Sequence, residues 1–324
     1  MMGRPLFPRR AILAGAGLAA PAALRAQPIS ARPLRLIVGF APGGAADTVA
    51  RLIAPAMGEV LGQTVVVENR SGASGTNAAA FVAAAPPDGH TVLLSTLTQA
   101  SNPHLFSGLS FDYATAFAPV SLVVLFPTVL AVRRDFPVTD AAGFLALARK
   151  RPEPITYGTP GNATAQHMAA ELLQLRTGIR LEHVPYRGGA DAARDLAAGV
   201  VEASFNSVGT LQPALAAGAR PLMAVTAERI PSLPDVPTGA ECGIPDYALS
   251  DICGLFSPAA TPPDRVARLQ AAVVAALATE EVRTRLRGME VQGVGSTPAE
   301  FTRFMQTESA RLGTLIRAAG IKLS

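Results

Sequence analysis

The residues of this chain that could do chemistry are glycines, placed in a turn between an apolar strand and a helix. Pro42, Gly43 and Gly44 follow the apolar stretch 34–40, and a helix-forming stretch begins directly after them. Glycine tolerates positive φ and lets a ligand approach the backbone without meeting a Cβ atom. A strand that leads through a tight turn into a helix directs free backbone N–H groups, and the positive end of the helix dipole, toward one point. Such a corner can bind a carboxylate without lysine or arginine.

The same arrangement recurs later in the chain. The stretch 155–168 again contains a strand, a turn rich in glycine, proline and threonine, and the start of a helix. A third glycine turn, 187–191, follows the strand 183–186. Two such corners that face each other would hold a small anion from both sides. We therefore expect residues 42–44 and 159–164 to share one crevice.

Each of these features also has a purely structural interpretation. Any one glycine corner could be an ordinary connection between a strand and a helix. The hydroxyl groups in the stretch 95–98 suit ligand oxygens, because open α/β sheets bind ligands at the carboxyl ends of their strands, but they could equally cap the following turn. Asp47 could bind a ligand amine or cap its own helix. The repetition of the corner favours the ligand site.

Other kinds of site do not fit the motifs. A phosphate-binding loop is excluded because Asn77 and Ala78 follow Thr76, where a lysine and a hydroxyl would be needed. The spacings of a serine nucleophile elbow and of a dinucleotide fingerprint are also missing. His167 and Glu171 stand four residues apart on one helix, which would allow a metal pair but favours a hydrogen bond on the helix surface. We predict no catalytic residue, no metal and no cofactor.

The amino-terminal residues are predicted to be an export signal. Arg4, Arg9 and Arg10 precede an apolar run, 11–23, that is too short to span a bilayer. The arginine pair resembles a twin-arginine signal, although an ordinary secretory signal also fits. We predict cleavage near Ala26, with Ala22 as the second choice, and a periplasmic location.

Charge excludes nucleic acid as a partner. Residues 1–26 contain four arginines and no acidic residue, so 28 − 4 = 24 basic residues face 24 acidic ones in the remaining chain. The chain has no tryptophan, few other aromatic residues and no basic run, whereas a nucleic-acid-binding surface would need basic and aromatic groups together. Cys242 and Cys253 could form a disulfide or remain two buried thiols.

Helical and extended stretches alternate, which indicates an α/β fold. The apolar run 120–132 is broken by Pro127, and this suits a chain that crosses between domains better than one interior strand. We predict a first lobe from residues 27–127 and 248–324 and a second lobe from residues 128–247. The predicted helices are 47–61, 78–85, 141–150, 263–278 and 298–318.

Seven motifs, in this order, resemble the Bug-type extracytoplasmic receptors of tripartite tricarboxylate transporters, and the similarity covers essentially the whole chain. The motifs are GFAPGG at 39–44 with Asp47 and Arg51, VENRSGASGT at 67–76, NPHL at 102–105, YGTPG at 157–161 with His167 and Glu171, VPYRGG at 184–189, LPDVPT at 233–238 and SPAATP at 257–262. The chain departs from the usual pattern at Ala45, Ala46 and Cys253, which leaves the identity of the ligand open.

The resemblance implies a two-lobed Venus flytrap fold, with two mixed sheets flanked by helices and one ligand in the cleft, and no catalysis. It also implies that loops 40–47 and 159–164 meet the ligand carboxylate, partly through water. The residues predicted to bind the ligand are Phe40, Ala41, Gly43, Gly44, Asp47, Ser95, Thr96, Thr98, Thr159, Gly161, Asn162, Ala163, Thr164, His167, Gly189 and Asn206.

The predicted partners are a small carboxylate and, transiently, membrane transporter subunits, with the receptor itself a monomer. A signalling receptor that presents its closed form to a sensor kinase is the alternative. An exported hydrolase is a third class, but no nucleophile–base pair supports it.

Overall fold

The structure is a computed structural model that describes residues 32–321. The predicted signal peptide, residues 1–26, lies outside the described residues. The strands are β1 (Leu34–Val38), β2 (Val65–Asn69), β3 (Thr91–Ser95), β4 (Phe117–Phe126), β5 (Thr128–Val132), β6 (Ile155–Thr159), β7 (Leu181–Pro185), β8 (Ala203–Ser207), β9 (Arg220–Ala224), β10 (Asp251–Pro258) and β11 (Gln292–Gly293). The helices are α1 (Ala45–Leu61), α2 (Thr76–Ala83), α3 (Thr98–Ser101), α4 (Ala141–Lys150), α5 (Ala165–Thr177), α6 (Gly189–Ala197), α7 (Val208–Ala216), α8 (Pro263–Ala278), α9 (Glu280–Gly288) and α10 (Pro298–Ala319).

The strands form two mixed sheets, each flanked by helices, which confirms the predicted fold class. One sheet has the order β11-β4-β10-β3-β1-β2, and we call this sheet with its helices the first lobe. The other has the order β7-β6-β8-β5-β9, and we call it with its helices the second lobe. The central strands β3 and β8 are buried along their whole length, as expected for strands covered by helices on both faces.

Each lobe is built around the same three parallel strands. In the first lobe β1 lies between β2 and β3, and in the second lobe β6 lies between β7 and β8. Parallel strands place their carboxyl ends at one edge of the sheet, where the connections to the following helices also lie. The corner after β1 and the corner after β6 therefore occupy equivalent positions in the two lobes.

Pro127 marks the point at which the chain leaves one sheet for the other. It separates β4 from β5, and its carbonyl accepts a hydrogen bond from the backbone N–H of Val208 at 3.1 Å. A proline has no N–H to donate to a sheet, so the long apolar run divides here into two strands. The predicted lobe boundaries after residues 127 and 247 stay predictions.

The helices follow local sequence signals where those signals are strong. Gly62, at φ 67°, ends α1, and α10 begins with a capping box in which Thr297 and Glu300 bond each other's backbone N–H groups. Three helices were not predicted, namely the single turn α3, α7 and α9. Helix α7 contains Gly209 and Pro213, which are poor helix formers, and α9 has a short and mostly charged sequence.

A pair of stacked histidines is buried in the second lobe. The rings of His167 on α5 and His183 on β7 are 4.1 Å apart, and His183 also stacks on Tyr157. The Nε2 of His167 lies 3.7 Å from a carboxylate oxygen of Glu171, too far for a hydrogen bond, and both side chains are largely buried. The predicted surface hydrogen bond between His167 and Glu171 is therefore wrong, because this face of α5 packs into the lobe.

Burial controls the charge of these groups. It lowers the pKa of His167 to about 4, and burial together with the neighbouring His167 lowers the pKa of His183 to about 3. Burial also raises the pKa of Glu171, although hydrogen bonds from Tyr157 and Gln174 oppose this. The backbone N–H of Ala163 donates to Nδ1 of His167 at 3.2 Å, which requires that nitrogen to be unprotonated.

We expect the free energy of unfolding to decrease as the pH falls from about 6.5 toward about 4, because the unfolded chain protonates both histidines in this window and the folded chain does not. Each histidine contributes up to about 1.4 kcal/mol per pH unit, whereas Glu171 acts in the opposite direction above its unfolded pKa of about 4.5. Urea unfolding at about pH 7 and about pH 5 measures this loss.

His183→Gln should reduce the loss, since glutamine can still bond Thr159 but cannot take up a proton. His104→Gln is the matched control, because His104 is exposed and bonded to Ser309 on α10. An equal loss of stability in wild type and His183→Gln would contradict the prediction.

Candidate functional site

A cavity of about 210 Å³ lies between the two lobes, at the carboxyl ends of their parallel strands. It is smaller than the cavities of about 300–1,000 Å³ that take drug-sized ligands, so it suits a molecule of a few carbon atoms. The lining comes from both lobes and consists of Phe40, Ala41, Pro42, Gly43, Gly44, Ala45, Ala46, Thr96, Phe126, Pro160, Thr164, Gln166, Arg187, Gly188, Gly189, Ala190, Asp191, Asn206, Ser207, Thr210 and Asp251.

Four helices begin at this cavity. Their N-cap residues are Gly44 for α1, Thr164 for α5, Gly188 for α6 and Ser207 for α7, and all four line it. The first N–H groups of a helix have no acceptor within the helix. Thr164 accepts a bond from the N–H of His167, whereas no side-chain cap is present at the other three helix starts. Backbone donors and the positive ends of helix dipoles from both lobes thus surround one small space.

Asp47 holds the corner of the first lobe in place. Its carboxylate accepts hydrogen bonds from the backbone N–H of Gly43 at 2.9 Å, from Arg51 at 2.9 Å and from Asn69 at 2.8 Å. Asn69 also donates to the carbonyl of Phe40 at 3.0 Å. Burial alone would raise the pKa of Asp47, but these bonds outweigh it and lower that pKa below the ordinary value. The carboxylate is therefore charged and bound by its own loop.

Two threonine hydroxyl groups hold the corner of the second lobe in place, and one residue of this corner has a strained backbone. The hydroxyls of Thr159 and Thr164 both donate to the carbonyl of Gly161, at 3.2 and 2.8 Å. Ala163 has φ 63°, a left-handed conformation that is uncommon for a residue with a Cβ atom. Backbone strain of this kind is concentrated at ligand-binding and active sites.

Hydrogen bonds from the first lobe reach the corner of the second lobe across the cleft. The hydroxyl of Ser74 donates to the carbonyl of Asn162 at 2.9 Å, and the hydroxyl of Ser101 donates to the carbonyl of Ala163 at 2.7 Å. Both serines belong to the first lobe and both acceptors to the second. The corner of the second lobe is therefore bonded to the first lobe, and residues of both corners line one cavity.

Two further contacts cross the cleft at other points. The side-chain amide of Gln166 on α5 donates to Asp251 on β10 at 3.1 Å. Gly209, at the start of α7, lies so close to α9 that a Cβ atom added to it would stand 2.2 Å from the carbonyl oxygen of Met289. Only a residue without a side chain permits this approach.

The predicted site residues divide into three groups. Eight line the cavity, namely Phe40, Ala41, Gly43, Gly44, Thr96, Thr164, Gly189 and Asn206. Gly161 and Asn162 line an adjoining groove of about 530 Å³ that shares Phe40, Ala41 and Thr164 with the cavity. The other six line neither space and lie behind the corners, namely Asp47, Ser95, Thr98, Thr159, Ala163 and His167.

Several lining residues were not among the predicted site residues. Gly188, Arg187 and Asp191 belong to the third glycine turn, so the signal that selected Gly189 could also have found them. Ser207 and Thr210 lie at the start of α7, which was not predicted as a helix. Asp251 has no sequence signal, because its strand is otherwise apolar.

Neither a metal cluster nor a membrane span is found in residues 32–321. No group of three side chains there could hold a metal ion, and none of the helices is both long and apolar enough to cross a bilayer. Cys242 and Cys253 are free thiols, the first half-buried and the second buried.

Comparison with known proteins identifies the family. The model of a family described as "Tripartite tricarboxylate transporter family receptor" matches residues 49–321. Protein BugT of Bordetella pertussis is 32% identical over 314 residues, which cover 96% of this chain and 96% of that protein.

Solved structures agree with the family match. An R. palustris protein solved with adipate has a TM-score of 0.84 and 36% identity, over 90% of this chain and 98% of that one. MatC from Rhodopseudomonas palustris, solved with bound malate, has a TM-score of 0.82 and 33% identity, over 88% of this chain and 99% of that one. This chain therefore belongs to the receptor family of tripartite tricarboxylate transporters. The receptors of this family are periplasmic solute-binding proteins of the Bug type and not enzymes.

Proposed function

We propose that this protein captures a small carboxylate between its two lobes and delivers it to tripartite tricarboxylate-type transporter subunits in the membrane. The observation that carries the proposal is the convergence of four helix starts, three of them without a side-chain cap, on one cavity between the lobes. A carboxylate placed there would accept hydrogen bonds from N–H groups at the helix starts and would gain from the helix dipoles.

The scarcity of basic side chains in the cavity lining, together with the ligands of solved relatives, supports a small ligand held by backbone groups. Arg187 is the one basic side chain in the lining, and it is exposed. The solved relatives hold adipate and malate, both small dicarboxylates. Because water can mediate hydrogen bonds at little energetic cost, glycine corners of this kind can serve carboxylates of different shapes.

Closure of the lobes would couple binding to delivery. A ligand that touches the corners of both lobes stabilises the closed arrangement over an open one, and that difference in affinity drives the change. The membrane subunits would then recognise the closed receptor transiently. In this proposal the receptor is a monomer that is exported by means of residues 1–26, which are removed near Ala26.

Gly188→Val should abolish binding while the protein still folds. Gly188 lines the cavity with an extended backbone, at φ −176°, and a Cβ atom added there meets no neighbour within 4 Å. Gly43 and Gly161 are less suitable positions, because their φ values of 80° and 141° would strain any other residue. Calorimetric titration with adipate, malate and citrate measures the loss.

Gly288→Val is the matched control, since Gly288 is exposed on α9 and its Cβ position is also open. We expect the control to bind as wild type does, and both variants to unfold within about 1 kcal/mol of it. Unchanged affinity in a folded Gly188→Val variant would contradict the proposed site.

Gly209→Val should weaken binding by preventing closure. The added Cβ would collide with the backbone carbonyl of Met289 in the other lobe, and a backbone atom cannot move aside cheaply. We expect the dissociation constant to rise by about tenfold or more, as it does when the binding-competent state becomes rare. X-ray scattering with saturating ligand should show a larger radius of gyration than for wild type.

Gln212→Val is the control for this experiment, because Gln212 is an exposed residue on the same helix. If Gly209→Val reaches the same radius of gyration and the same affinity as wild type and Gln212→Val, the contact at Met289 is not part of closure.

A further inference from the structure

Asp251 places a carboxylate in the wall of the cavity at which four helices begin. It is the first residue of β10, in the first lobe, and it lines the cavity. None of the ion pairs among residues 32–321 involves it. The other acid in the lining, Asp191, is paired with Arg194 at 3.0 Å. Asp251 is thus the lining acid that takes part in no ion pair among the described residues.

Three hydrogen bonds fix the orientation of this carboxylate. Oδ1 accepts from the backbone N–H of Ile252 at 2.9 Å and from that of Leu97 at 3.4 Å, and Oδ2 accepts from Gln166 at 3.1 Å. Burial raises the pKa of Asp251 above its ordinary value, and these three bonds oppose the rise without cancelling it. A carboxylate oxygen can accept two hydrogen bonds, so Oδ2 can accept one more.

Gln166 adds a second acceptor beside Asp251. Its side chain is 2% exposed and lines the cavity, and its amide nitrogen is used by Asp251. The amide oxygen, Oε1, has no hydrogen-bond partner among the described residues. A buried polar atom without a partner is costly, which indicates that something supplies a hydrogen there when the site is filled.

We propose that Asp251 and Gln166 form an acceptor subsite that selects a carboxylate ligand bearing a hydrogen-bond donor, either a hydroxyl or an ammonium group, on its carbon skeleton. This inference rests on the proposed function of the cavity and specifies its ligand class. The helix starts would take the carboxylate of the ligand, and the donor substituent would meet the free acceptors of Asp251 and Gln166.

The same subsite would act against unsubstituted dicarboxylates. A second carboxylate beside Asp251 would meet a like charge and would offer no hydrogen to either acceptor. Specificity often combines one favourable contact with one repulsive contact against competitors. Asp251 would therefore serve both purposes.

The test uses two sets of matched acids at pH 7, succinate with malate and aspartate, and glutarate with 2-hydroxyglutarate and glutamate. Calorimetric titration of the wild-type protein should show that at least one hydroxy or amino acid binds about tenfold or more tightly than its parent acid, as expected for a hydrogen bond to a charged group. Comparing the affinity of the hydroxy acid with that of the amino acid in each set shows whether the subsite prefers a hydroxyl or an ammonium donor.

Asp251→Asn should remove most of this preference, because it replaces the charged acceptor with a neutral amide of the same size. Asp135→Asn is the control, since Asp135 lies on the surface of the second lobe and pairs with Arg133. The control should keep the wild-type preference.

The outcomes separate this inference from the proposed function. If none of these acids, adipate or citrate binds the wild-type protein, the carboxylate receptor itself is wrong. If the acids bind but the parents bind as tightly as the substituted members, or Asp251→Asn keeps the preference, the acceptor subsite is wrong.

Discussion

The backbone N–H groups at the start of a helix need acceptors, and this constraint organises the site. Four helices begin around one cavity, and three of them lack a side-chain cap. Helix starts that converge on a small, partly enclosed space make an anion a favourable occupant, so affinity does not require a basic side chain. The glycines at these helix starts follow from the same need, because larger residues would occupy the space of the ligand.

The loops around the cavity are kept in position by groups that do not face it. Asp47 uses its charge on its own loop, and Thr159 and Thr164 bind the carbonyl of Gly161. Serine hydroxyls then connect the first lobe to the second corner. The resulting site is preorganised, so a ligand does not have to order the loops by itself and loses less free energy on binding.

The sequence was most informative where structure depends on neighbouring residues. Glycine and proline marked both corners, and Pro127 marked the passage between the sheets. The sequence was less informative where structure depends on residues that are distant along the chain. His167 and Glu171 look like a surface pair on one helix, but packing against β7 buries them. Asp251 reaches the cavity only because β10 returns to the first sheet beside β3.

The passage at Pro127 limits how the lobes can move. A single residue separates a strand of one sheet from a strand of the other, and the proline ring fixes its φ angle. The second passage runs beside it, with the N–H of Leu249 bonded to the carbonyl of Val225 at 3.0 Å. Sliding one sheet along the other would require several torsion angles to change together. A motion of the lobes that keeps both passages intact would be a rotation about them, and this rotation would open and close the cleft.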